Sequence, residues 1–140
     1  MEQLVGALIA VAGLVLGFLV RPYFDRRISR DQWQRTAVVA LVDSAQAHRR
    51  ALVDALAARS YRADLESAFR LAASDLKARA VVVLDKDLRE SAIDLHSRAW
   101  GVANVRGFGA FPDKPVDTDS VWSVFDALCD RVPTILKRLA

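Results

Sequence analysis

Seventeen consecutive residues, Leu4 to Val20, carry no charged or polar side chain, and Arg21, Arg26, Arg27 and Arg30 follow almost at once. At about 1.5 Å of rise per residue such a run covers roughly 25 Å as a helix, close to a bilayer hydrocarbon core of about 30 Å. Tyr23 and Phe24 supply an interfacial end. The expectation is one transmembrane helix, with residues 1–24 as anchor and interface. A cleaved secretory signal fits less well. Met1-Glu2-Gln3 holds no basic residue, no small-x-small site follows the run, and the arginines lie on the wrong side of it. Five arginines (21, 26, 27, 30, 35) against Asp25 and Asp31 make residues 21–35 the cytoplasmic flank. The expected location is therefore the cell membrane, single-pass, with the N-terminus outside and the C-terminal domain cytoplasmic.

Residues 25–140 have the length of one domain. Of the twenty basic residues in the chain, five fall in 21–35, and three of the seventeen acids precede residue 36; the remainder carries fifteen basic against fourteen acidic groups. The distal domain is thus nearly neutral, which argues against a nucleic-acid partner, since that function asks for a basic face on the folded domain. The single cysteine, Cys129, excludes an internal disulfide and any cysteine-rich metal site.

Periodicity makes the fold class all-α: after the anchor, an antiparallel (up-down) four-helix bundle with helices at about 25–59, 61–84, 87–104 and 118–139. Val38, Leu41, Ala45, His48, Leu52 and Ala55 recur at alternating three and four residues and form one helix face. Ser60 is the expected N-cap of the second helix, whose face is Leu65, Phe69, Ala72, Leu76, Ala80 and Val83. An unbroken helix from Tyr61 to Asn104 would run about 66 Å, so a break is placed near Asp87, where Asp87-Leu88-Arg89-Glu90 resembles a capping box. The third face is Leu88, Ala92, Leu95, Ala99 and Val102, with Trp100 beside it. Residues 106–117 form the one clear loop, with two glycines and two prolines. The fourth helix carries Val121, Phe125, Leu128, Val132, Ile135 and Leu139 at heptad spacing, and Pro133 predicts a kink or restart after Arg131.

Candidate chemistry is thin. A carboxylate-bridged metal site wants glutamates and Glu-x-x-His motifs on facing helices, but Glu2, Glu66 and Glu90 are the only glutamates and none heads such a motif. Asp94 and His96 project about 200° apart on a helix and cannot share a metal. His48 and His96 both lie near apolar faces and can approach across a core. No serine or threonine stands at a strand-to-helix elbow. No enzymatic activity, no cofactor, no metal and no small-molecule substrate is expected.

Three features point to association. Gly6, Ala10, Gly13 and Gly17 form a small-residue stripe that suits membrane-helix packing. Arg21, Arg26, Arg27, Arg30 and Arg35 form a collar suited to anionic headgroups of a lipid bilayer. Phe108 and Phe111, in the long loop, are possible partner contacts. The expected function is that of a membrane-anchored, non-enzymatic interaction or adaptor protein presenting a helical bundle to a protein partner, or to a second copy. The alternative is a small membrane-active or membrane-protecting factor of holin-like, exclusion or immunity type, acting through its glycine-rich transmembrane helix.

Overall fold

The structure, a computed structural model, describes the backbone of residues 2–58, 60–103 and 117–140, with side chains from Leu16 onward apart from residues 18 and 19. Among the described residues there are four α-helices and no strand: α1 (Glu2–Ala57), α2 (Ala63–Val82), α3 (Lys86–Val102) and α4 (Asp119–Arg138). The chain divides into two compact units, Met1–Trp33 and Gln34–Ala140, and α1 contributes to both.

The expected transmembrane span and single-pass location are corrected here. Among the described residues, no helix is long and apolar enough to cross a membrane. The helix does not stop where the run stops: α1 proceeds through Arg21 and Pro22 into Asp25, Arg26, Arg27 and Arg30, so lengthening the segment brings in charge.

The second unit is a helical bundle around one apolar cluster. The face read on α1 is buried in full: Val38, Leu41, Ala45, His48, Leu52 and Ala55 are each at most 1% exposed. The α3 face is buried in full as well, with Trp100 packed against it. On α2 the buried alanine is Ala73 instead of Ala72. On α4, Val121, Phe125, Leu128 and Ile135 are buried and Val132 and Leu139 are half-buried.

Side-chain contacts fix the sense of neighbouring helices. Ser44 Oγ donates to Asp75 Oδ2 at 2.6 Å and Gln34 Nε2 donates to the Val82 carbonyl at 3.4 Å, so α2 runs back along α1. Arg131 pairs with Asp87 at 3.4 Å and Arg138 with Asp85 at 3.8 Å, so α4 runs back along α3. Arg35 Nη2 donates to the Leu136 carbonyl at 3.5 Å, while Arg49, further along α1, lies over Phe125, nearer the start of α4.

The helix ends differ from their expected signals in instructive ways. The break between α2 and α3 falls at residues 83–85, after three consecutive valines whose β-branched side chains disfavour helix. The cap is Asp85, whose Oδ1 accepts the Leu88 N–H at 2.9 Å, two residues before the expected start. Helix α2 begins after Arg62 with no side-chain cap, and not at Ser60. Asp117 accepts the N–H groups of Asp119 and Ser120 at the start of α4. Helix α4 continues through Pro133 without restarting; the residue is exposed, so a carbonyl it leaves unbonded meets water.

Gln34 closes the α2–α3 reversal. Its buried amide donates to the Val82 carbonyl and accepts the Leu84 N–H at 2.9 Å, while Arg89 Nη1 donates to the Val83 carbonyl at 3.2 Å. Gln34→Ala leaves part-buried backbone groups unpaired and is expected to cost about 1–3 kcal/mol in chemical unfolding. For Phe125→Ala, which empties a core position, the expected loss is about 3–5 kcal/mol. An unshifted unfolding midpoint for Phe125→Ala would mean that α4 does not complete the core.

Candidate functional site

The most unusual chemistry in the bundle is a buried histidine pair. His48 of α1 is 1% exposed, and neither ring nitrogen has a hydrogen-bond partner; Nδ1 of His96, on α3, is likewise buried without one. The two rings lie nearly parallel with centroids 6.1 Å apart. Phe69 sits 4.8 Å from His48 and meets Trp100 edge-on at 5.1 Å, and Arg70 lies 5.2 Å over Trp100. The sequence places both histidines near the core; the structure brings them together.

Burial, with the His96 charge as the lesser cause, pushes the His48 pKa down to about 4. His96 is also lowered, by burial and then by the Lys77 ammonium, against the opposing effect of a hydrogen bond to the Ala73 backbone. Both imidazoles are therefore held neutral. Among the described residues no group of three or more His, Cys, Asp or Glu side chains is placed to hold a metal ion. Two imidazoles alone fall short of a structural or catalytic zinc set.

A shallow cleft of about 390 Å³ lies between α1 and α4, lined by Arg49, Arg50, Asp54 and Phe125 among others. Its principal cation is already engaged: Arg49 lies 5.3 Å over Trp122 and 4.8 Å over Phe125. Such stacking stabilises by about 0.5–1 kcal/mol at exposed sites and has a purely structural use. Cys129 is half-buried, and burial followed by the Asp126 and Asp130 charges raises its thiol pKa, opposite to the shift that makes a nucleophile.

The remaining sequence-marked residues divide cleanly. Arg21, Arg26, Arg27 and Arg30 are exposed on the first unit. Arg35 belongs instead to the bundle, through Leu136. A Cβ on Gly17 would meet nothing within 4 Å. Gly6, Ala10 and Gly13 lie outside the residues whose side chains are described, and Phe108 and Phe111 outside the described residues altogether. The pairs Glu66/Arg70, Asp75/Arg79 and Asp94/Arg98 form as the i,i+4 spacing requires.

Sequence reasoning missed the outer face of α2. Ser67, Leu71, Ser74, Ala78 and Val81 are all exposed and follow one another at alternating four and three residues. Leu71 is 74% and Val81 67% exposed. Of the charges beside this uncharged seam, Glu66 pairs with Arg70 at 2.6 Å and Asp75 with Arg79 at 2.9 Å, while Lys77 is exposed. The signal was available: α2 carries apolar residues on two sides, and the reading followed only one.

The histidine pair generates a pH dependence with a definite sign. His48 takes a proton near pH 6.5 when unfolded but near 4 when folded, so the unfolded state binds more protons between those values and stability rises with pH there. Its contribution is complete above about pH 6.5 and is lost as pH drops toward 4, by about 3 kcal/mol. Chemical unfolding at several pH values should show this slope, and His48→Leu should flatten it while leaving stability near neutral pH no lower, since two orphaned nitrogens are removed. An unchanged slope in that variant would place the acid sensitivity elsewhere.

Compared with protein-family models, with curated proteins and with solved structures, the chain gives no significant match.

Proposed function

We propose that the protein is a non-enzymatic interaction module, an up-down four-helix bundle that docks a helix of a partner protein along the outer face of α2. The observation that supports this is the exposed seam Ser67, Leu71, Ser74, Ala78 and Val81. A solvent-facing helix side is ordinarily charged; this one is uncharged over about 22 Å. Alternating three and four spacing is the pattern by which one helix receives another, and small residues at Ser67, Ser74 and Ala78 allow close approach. Glu66 and Arg70, and Asp75 and Arg79, are paired with each other, so the seam's apolar groups supply most of the attraction to a partner, with Lys77 the exposed charge beside them. A contact of this length is smaller than the roughly 800 Å² per partner of standard stable interfaces, which suits a transient association.

The rest of the bundle supports a binding role over catalysis. His48 is neutral and enclosed, the thiol is not activated, and Arg49, one of the cleft's two arginines, is stacked on aromatic rings.

Leu71→Asp combined with Val81→Asp tests the reading. Both side chains are exposed, so the unfolding free energy should shift by no more than about 1 kcal/mol. A photoreactive residue at Ala78 should crosslink a partner chain in the otherwise native protein and fail to do so in the double variant. Crosslinks that persist in the variant would refute the seam, and an adduct of two copies of this chain would identify self-association instead.

A further inference from the structure

We infer that the exposed segment of α1 from Val20 to Trp33 is a docking site for an anionic phospholipid surface, an inference separate from the seam on α2. Arg21, Arg26, Arg27 and Arg30 are all exposed, and none forms an ion pair with a described residue. At 3.6 residues per turn they point at about 0°, 140°, 240° and 180° around the helix axis, so no half of the circumference is free of a guanidinium. Four arginines against Asp25 and Asp31 leave the segment with a net charge of +2, and any side of it that faces an anionic surface presents a guanidinium. Exposed aromatic rings share the segment, with Tyr23 and Phe24 in edge-on contact at 6.1 Å and Trp33 nearby in sequence. Amphipathic rings of this kind favour the depth of the headgroups. A headgroup contact needs charge and rings at one depth, and no helix that crosses the bilayer.

Flotation of the full-length protein with vesicles tests this. Phosphatidylcholine vesicles containing phosphatidylglycerol should retain the protein at low salt at least about tenfold better than phosphatidylcholine alone, and high salt should reduce the difference. Replacing Arg21, Arg26, Arg27 and Arg30 together by Gln should lower binding to the anionic vesicles on the order of a hundredfold. All four side chains are exposed, so the circular dichroism spectrum should be unchanged. Equal retention by both vesicle types, or a variant that binds as the native protein does, overturns the inference. So does capture of the protein from the anionic vesicles by a soluble acidic helical peptide, which would make a protein surface the better match.

Discussion

One buried amide makes this bundle possible. The polypeptide from Ala63 to Val102 has no glycine before Gly101 and no proline, and a single helix over it would be too long to be covered. Breaking it exposes the last carbonyls of one helix and the first N–H groups of the next, and those groups lie against the core at Val83, which is fully buried. Gln34 resolves the conflict by accepting from Leu84 and donating to Val82, with Arg89 taking the Val83 carbonyl and Asp85 capping α3. Every helix position that follows depends on this reversal: it sets α3 antiparallel to α2 and so brings Trp100 onto Phe69 and His96 beside His48.

That juxtaposition introduces the bundle's main energetic liability. A buried polar group without a partner costs about 1–3 kcal/mol, and the pair holds three such nitrogens. Aromatic packing on His48 from Phe69 offsets part of this, and the neutral state avoids the far greater cost of burying a charge. The result is a core that is apolar in effect at neutral pH and becomes internally repulsive in acid.

Much of the fold was legible because burial follows helical periodicity. The α1 and α3 faces could be read residue by residue, since each carries large apolar groups on one side and charges on the other. The α2 face was less clear because alanine occupies both Ala72 and Ala73, and a methyl group marks no side. Boundaries were legible only approximately: the Asp87-x-x-Glu90 pattern drew attention from Asp85, and the deciding signal, three successive valines, concerns helix propensity and not capping. Candidate sites were less legible still. The histidine pair could be anticipated as neighbours, but orphaned nitrogens depend on what surrounds them in three dimensions. The seam on α2 went unread because an exposed apolar stripe and a buried one have the same period. The transmembrane expectation rested on local composition, whereas spanning is a property of a whole helix.

The charges explain why surfaces, and not pockets, carry the functional reading. Within the bundle, acids and bases mostly cancel inside single helices: Glu66 with Arg70, Asp75 with Arg79, Asp94 with Arg98 and Lys86 with Glu90 are all i,i+4 pairs. Exposed pairs of this kind contribute only about 0.3–0.5 kcal/mol each to stability, but they leave the bundle with little field of its own to attract or orient a charged ligand. On the first unit, Arg21, Arg26, Arg27 and Arg30 form no ion pair with a described residue and lie within ten residues of one another. Long-range attraction to an anionic surface is therefore separated in the chain from the short-range apolar contact that α2 offers, and the two can act without competing for the same side chains.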